Sequence, residues 1–162
     1  MSGRDHGAPA VHSFGATNPT TLIGTANTYV GGIFQLNAAG RLFGLRMWRP
    51  ASDVQAHWAH VIDASNDQLL RSACFMDVAQ GATAGWQQLW LRPVLRMDTS
   101  KAYRIYVAYP GGNGYRITNG SGGVNHNGII YHNGFQQTGF DPTVSPSTNS
   151  HANGVDLLVY FD

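Results

Sequence analysis

The sequence predicts an all-β fold, a single antiparallel β-sandwich of jelly-roll type with about eight or nine strands. Three observations predict it. The 162-residue chain has no Glu and a single Lys, the residues that favour exposed helix faces. Its 20 glycines, with many Asn, Ser and Thr, are typical of turns between strands. Apolar residues alternate at period two in short segments that recur roughly every 8–12 residues, with turn signals between them.

The first 20 residues are rich in Gly, Ala, Pro, Ser, Thr and Asn, and they predict an extended N-terminal arm. Such an arm is ordered only when it lies on another surface. Residues 21–162 are predicted to form the sandwich domain. Its strands are expected at 22–23, 29–36, 41–49, 56–64, 68–76, 85–94, 102–109, 128–132 and 155–161, and a short run at 115–118 lies between glycine-rich segments.

Two of these strands carry specific expectations. In the strand over 41–49, strict alternation puts Phe43 on the same face as Leu45 and Met47, opposite Leu42. In the strand over 85–94, alternation predicts that Leu89 and Leu91 face the core and that two indoles face outward. We expect Pro93 to end this strand, because proline has no N–H to donate to a sheet.

Charge and cysteine content argue against several classes of protein. The net charge is +1 at pH 7, so the chain has no basic footprint for nucleic acid. It has no signal peptide and no apolar run of transmembrane length, so we expect synthesis in a cytoplasm and no membrane partner. The lone Cys74 rules out an internal disulfide, and its apolar neighbours predict a small buried side chain.

Metal and catalytic chemistry have weak support in the sequence. His57 and His60 are three apart, so on a strand they point to opposite faces and do not share a metal. A loop-derived His/Asp site remains open, as does a structural Ca²⁺ in place of ordinary turn capping. The candidate ligands are His126, His132, His151, Asp53, Asp141 and Asp156. Without Glu and without Gly-x-Ser-x-Gly, we expect neither a catalytic residue nor a cofactor.

Aromatic side chains are the best functional signal, because they stack on sugar rings and anchor protein interfaces. Several lie on strand faces opposite the predicted core. The candidate binding or interface residues are Trp58, Trp90, Trp48, Arg46, Tyr106, Tyr115 and Tyr131.

Seven segments, whose order and spacing agree over roughly half of the chain, resemble an uncharacterised β-sandwich family. They read G-I-F at 32–34, G-R-L-F-G-L-R-M-W at 40–48, H-W-A-H-V-I at 57–62, Q-L-L-R-S-A-C-F at 68–75, G-W-Q-Q-L-W-L-R-P-V at 85–94, Y-R-I-Y-V-A-Y at 103–109 and V-D-L-L-V-Y-F at 155–161. That family is a domain of unknown function of bacterial secreted and cell-surface proteins. Without a signal peptide, similar domains are small structural proteins of bacteriophage particles. Trp58 and Trp90 stand where the family usually has small or polar residues.

The resemblance implies a structural protein of a bacteriophage particle, either a capsid decoration or a tail-associated subunit. Such a protein would be located in the virion, bind other virion proteins and form a homo-oligomer, with a trimer as one candidate. The alternative is a carbohydrate-binding module or host-surface adhesin. That alternative would recognise a cell-surface glycan through exposed Trp and Tyr near the loops over 111–153.

Overall fold

A computed structural model describes residues 10–11, 21–22, 26–111, 115–116, 124–139 and 155–162. Over these residues the chain forms twelve strands, eight of them with seven or more residues. The strands are β1 (Ala10–Val11), β2 (Thr21–Leu22), β3 (Thr28–Leu36), β4 (Gly40–Arg49), β5 (His57–Asp63), β6 (Gln68–Phe75), β7 (Gly85–Met97), β8 (Tyr103–Tyr109), β9 (Tyr115–Arg116), β10 (Val124–His126), β11 (Ile129–Thr138) and β12 (Val155–Phe161).

The strands form two main antiparallel sheets. The small sheet has the order β1-β12-β4-β7, and the large sheet has the order β10-β11-β3-β8-β5-β6. A separate pair joins β2 to β9. The prediction of an all-β antiparallel sandwich is therefore confirmed. No helix in the described ranges is long and apolar enough to cross a membrane.

One apolar core fills the space between the two sheets. The small sheet contributes Leu42, Leu45, Met47, Leu91, Met97, Val155, Leu157 and Val159, and the large sheet contributes Val30, Phe34, Leu36, Ala59, Val61, Phe75, Tyr103, Ile105, Val107, Tyr109, Ile129 and Tyr131. The alternate residues of each strand point away from this core, so the sandwich has two outer faces.

A bulge changes which residues of β4 face outward. Along β12 the pairing passes from Leu158–Gly44 directly to Val159–Leu42, so Phe43 is an extra residue of β4 at that point. Leu42 therefore joins the core with Leu45, and Phe43 lies on the outer face. The expectation that Phe43 shares a face with Leu45 is wrong, because an extra residue reverses the alternation on one side of it.

Pro93 does not end its strand, contrary to expectation. β7 continues to Met97, and Leu95 pairs with Leu42 beyond the bulge. The Arg92–Pro93 peptide bond is cis. Pro93 is one of four β7 residues, 91–94, that lie between the paired residues Trp90 and Leu95 and have no partner on β4, so its missing N–H interrupts no pairing.

The edge strands β6 and β7 are tied by side chains at one side of the sandwich. Arg71 donates from Nε to the carbonyl oxygen of Pro93 at 3.3 Å. Gln87 donates from Nε2 to the carbonyl oxygen of Met76 at 3.1 Å. At the opposite edge of the small sheet, Ala10–Val11 pair with β12. The rest of the predicted arm, residues 1–9 and 12–20, lies outside the described residues.

Candidate functional site

The outer face of the small sheet carries an exposed aromatic group, which we call the Trp90 patch (Phe43, Trp90 and Tyr160). The rings of Phe43 and Trp90 stack at 5.6 Å between centroids and 17° between planes. Tyr160 lies on the other side of Phe43, with 4.2 Å between centroids. Trp90 is 56% exposed, while Phe43 beneath it is buried. The bulge therefore creates the patch, because it turns Phe43 outward between two rings.

Gly44 lets the Trp90 indole lie close to the sheet. It pairs directly with Trp90 across the β4–β7 ladder. A Cβ at Gly44 would come within 2.9 Å of Leu158 Cδ1 and of the Leu89 carbonyl oxygen, and within 3.3 Å of the Trp90 ring. A side chain at this position would therefore push the indole away from the strand.

Two arginines flank the Trp90 patch and share one carboxylate. Arg41 pairs with Arg96 on β7 and with Tyr160 on β12. Asp162 lies 3.1 Å from Arg41 Nε and 3.9 Å from Arg96 Nη2. Both guanidinium groups are exposed, so the margin of the patch has a net positive charge.

The rest of this outer face is occupied by an ion pair and two further indoles. Arg46 donates from Nη2 to Asp156 Oδ2 at 2.7 Å, and its guanidinium lies 5.1 Å from the Trp86 ring. Trp48 meets Trp86 edge to face at 5.7 Å. Burial raises the pKa of the fully buried Asp156 to about 6, although Arg46 opposes this shift. Asp156 and the Trp86 ring thus hold the Arg46 side chain in place, and Arg46 stabilises this outer face.

The outer face of the large sheet contains a pocket of about 440 Å³, which we call the Trp58 pocket. Its described lining residues are Asn27, Thr28, Tyr29, Trp58, His60, Ala108, Tyr109, Pro110 and Gly139. Trp58 is 54% exposed and stands on β5, one strand from the sheet edge. The pocket brings together residues that are far apart in the sequence, from Asn27 to Gly139. No sequence motif indicated this.

His60 lies in the pocket as a neutral, hydrogen-bonded imidazole. Its Nδ1 is 2.7 Å from Ser72 Oγ, and its ring lies 5.2 Å from the ring of Tyr106. Burial lowers the pKa of His60 below the ordinary histidine value, so the neutral form predominates at pH 7.

A second apolar cluster lies on this same face, beside the pocket. It consists of Tyr29, Ile62, Tyr106 and Phe135, all buried. Tyr106 packs against Tyr29 at 5.2 Å and Phe135 at 5.9 Å. The prediction that Tyr106 is a surface binding residue is therefore wrong. It does face away from the core, but its neighbours cover it.

A buried charged group joins the strand ends near the pocket. His57 Nε2 is 2.7 Å from Asp53 Oδ2, and His57 Nδ1 is 3.1 Å from the carbonyl oxygen of Ala108. Arg49 donates to the carbonyl oxygens of Asp53, Gln55 and Met76 and to Gln87 Oε1. Both ring nitrogens of His57 are occupied, so this His–Asp pair fixes the loop after β4. Sequence analysis missed it because Asp53 is in a turn and Arg49 ends a strand.

The remaining candidates lie apart from the two sites. Tyr131 is in the core against Phe34, and burial raises its pKa to about 12, so the prediction that it is a binding residue is wrong. Cys74 is half-buried on β6 and not in the core, because its strand is an edge strand. The side chain of Tyr115 and the loop over 112–114 and 117–123 lie outside the described residues.

The candidate metal ligands are not assembled where the structure describes them. Asp53 and Asp156 each accept from a different basic partner, His57 and Arg46. His132 bonds to Gln35 at 2.9 Å. No group of three His, Cys or Asp residues that would suit a metal occurs among the described residues. Asp141, His151 and the side chain of His126 lie outside them.

No family model matches the chain, and neither a curated protein nor a solved structure matches it. The resemblance to bacterial and phage β-sandwich domains therefore stays a prediction.

Proposed function

We propose that the protein is a structural subunit of a bacteriophage particle and that it binds another particle protein through the Trp90 patch. The observation that carries the proposal is the exposed stack of Trp90 on Phe43, flanked by Tyr160. An exposed aromatic group of this kind is typical of a protein interface, where large rings are buried on association. The mechanism is burial of these rings, with no chemical step.

The charge around the patch favours a partner surface with carboxylates. Arg41 and Arg96 share Asp162 as their acidic neighbour, which leaves the margin positive. Face-to-face pairing of two identical patches about a twofold axis would bring these arginines together, and like charges oppose such a contact. We therefore expect a second, acidic surface, on another particle protein, to cover the patch.

The bacteriophage setting of the proposal comes from the resemblance of the seven sequence segments. It agrees with a Glu-free, Gly-rich chain that carries no catalytic motif. Capsid decoration and tail association both fit this mode of binding. The predicted homo-oligomer, with a trimer as a candidate, concerns a separate contact, and light scattering on the purified protein would measure it.

The experiment is incorporation of variants into particles of the phage that encodes the chain. Trp90→Ala should reduce the amount of the protein in purified particles by about tenfold or more, the factor that corresponds to about 1.4 kcal/mol. Trp58→Ala is the matched control, because its indole is equally exposed on the opposite face. It should be incorporated like wild type. Immunoblotting measures both, and electron microscopy with a bound antibody separates capsid from tail.

Two results would overturn the proposal. One is the absence of the wild-type protein from purified particles. The other is normal incorporation of a folded Trp90→Ala variant. Circular dichroism of the purified variants separates loss of binding from loss of folding.

A further inference from the structure

We propose that the Trp58 pocket binds a neutral sugar, independently of any contact at the Trp90 patch. The two sites lie on opposite outer faces of the sandwich, so one can be occupied without the other. Three properties of the pocket carry the inference, namely its aromatic wall, the absence of charged side chains from its described lining, and its fixed rim.

The size and wall of the pocket suit a sugar ring. A volume of about 440 Å³ falls within the range of small-molecule sites, roughly 300–1,000 Å³. Trp58 offers an exposed indole face, and Tyr29 and Ala108 continue the apolar lining. The C–H face of a pyranose packs against such a ring, because both surfaces are apolar and flat.

The charge of the pocket excludes ionised ligands. None of its described lining residues is Asp, Glu, Lys or Arg. His60, the one titratable imidazole there, is kept neutral at pH 7 because burial lowers its pKa. A phosphate or uronate would lose water in this site without gaining a counter-charge, which is costly. A neutral sugar does not incur that cost.

Polar groups at the rim match sugar hydroxyls. The Asn27 side chain is exposed, and its amide can both donate and accept, as a hydroxyl does. His60 adds an imidazole already held by Ser72. The lining thus combines a stacking wall with hydrogen-bonding groups.

The rim is held in place before any ligand arrives. Asn27 donates its backbone N–H to the carbonyl oxygen of Pro110 at 3.1 Å. Gly139 donates to the carbonyl oxygen of Asn27 at 2.9 Å. Asn27 has φ of 55°, a left-handed conformation that asparagine tolerates. Three distant chain segments are therefore joined at the rim, so little ordering cost accompanies binding.

The test is calorimetric titration with the neutral trisaccharides of glucose, mannose and N-acetylglucosamine, with triglucuronic acid as the charged analogue. We expect saturable binding of at least one neutral trisaccharide and none of the charged one. Trp58→Ala should weaken binding by about tenfold or more. Trp58→Phe should retain part of it, because a smaller ring still stacks. Trp90→Ala should bind like wild type.

Three outcomes would overturn the inference. They are no binding of any neutral trisaccharide by the folded protein, undiminished binding by Trp58→Ala, and binding of N-acetyltryptophanamide in place of every sugar. The last result would identify the pocket as a receptor for a peptide side chain. Particle incorporation of Trp90→Ala reports separately on the Trp90 patch, so failure of one proposal leaves the other measurable.

Discussion

Each outer face of the sandwich contains a glycine that pairs across the ladder with an aromatic residue, but the two aromatic residues differ in their exposure. On the small sheet Gly44 pairs with Trp90, and on the large sheet Gly31 pairs with Tyr106. A Cβ at Gly44 would crowd the Trp90 ring, and a Cβ at Gly31 would overlap the Cα and Cβ atoms of Tyr106. Trp90 nevertheless remains 56% exposed, whereas Tyr106 is buried.

The position of the aromatic strand in its sheet explains the difference. Trp90 lies on β7, which is an edge strand among the described residues, so no described strand beyond it covers the ring. Tyr106 lies on β8 in the middle of six strands, and Ile62 and Phe135 from other strands pack around it. The edge position yields a flat patch suited to a protein surface. The central position buries Tyr106 in an apolar cluster, and the Trp58 pocket lies beside that cluster.

The faces also differ in charge. An ion pair between Arg46 and the buried Asp156 supports the small-sheet face, and exposed arginines surround it. The described lining of the Trp58 pocket contains no charged side chain. The first face therefore suits an acidic macromolecular surface, and the second suits an uncharged small molecule.

The largest expected effect follows from breaking the ion pair under the small-sheet face. Arg46→Met leaves the buried Asp156 carboxylate without its cation, which should lower the free energy of unfolding by about 3–5 kcal/mol at pH 8. In wild type, burial raises the pKa of Asp156 to about 6. Removing Arg46 removes an interaction that lowers this pKa, so it should rise further. Urea unfolding at pH 8 and pH 5 measures the loss.

The sign of the pH dependence follows from proton binding. Because the folded protein holds the Asp156 proton more tightly than the unfolded chain, stability from this group decreases as pH rises between the unfolded value and about 6. In Arg46→Met the carboxyl group is protonated at pH 5, so the destabilisation should be smaller there than at pH 8. Arg46→Met with Asp156→Asn should lose this pH dependence. An equal loss for the single variant at both pH values would contradict the argument.

The two glycines provide the next comparison. A Cβ at Gly31 would overlap the Ile105 carbonyl oxygen and the Tyr106 Cβ, neither of which can move freely. At Gly44 the nearest atoms are 2.9 Å away, and one of them is the end of the flexible Leu158 side chain. Overpacking lowers the free energy of unfolding by about 1–3 kcal/mol. We expect a loss at or above the upper value for Gly31→Ala and a loss near the lower value for Gly44→Ala.

Thermal and urea unfolding of the two alanine variants measure this difference. Gly44→Ala should also change the fluorescence of Trp90, because the added methyl group displaces its ring. A larger loss for Gly44→Ala than for Gly31→Ala would contradict the assignment of the tighter packing to the central strands.

Alternation of apolar residues predicted most of the strands, because each long strand has one face in the core. It failed at Phe43, since a one-residue bulge reverses the alternation and leaves no local signal. It also failed at Pro93, because the sequence does not reveal that this proline lies where the pairing of β7 with β4 is interrupted. Both errors concern the small sheet, and the Trp90 patch depends on the bulge at Phe43.

The site predictions were limited because the sequence does not reveal the order of strands in a sheet. Trp58 and Trp90 were singled out from the sequence, and both are exposed. Tyr106 and Tyr131 were singled out for the same reason, yet both are buried. Side chains of neighbouring strands cover Tyr106, whereas Tyr131 points into the core between the sheets. The Trp58 pocket could not be foreseen, since residues as distant as Asn27 and Gly139 meet only in the folded chain. The isolated Gly44 and the Gly31–Gly32 pair within strand patterns were an unused signal of close approach.

The smallest expected effects come from the two exposed indoles themselves. Trp90→Ala removes the stack on Phe43 and should lower the free energy of unfolding by about 0.5–1.5 kcal/mol. Trp58→Ala should change it by less, within roughly 0.5 kcal/mol, as is usual for surface substitutions away from special features. Chemical unfolding of both variants at pH 7 tests the order. A residue that contributes little to its own fold, yet exposes a large apolar ring to water, is retained at a cost in solubility. A loss above about 3 kcal/mol, typical of a buried aromatic residue, would show instead that the indole stabilises the fold. That result would contradict a binding role for the face that carries it.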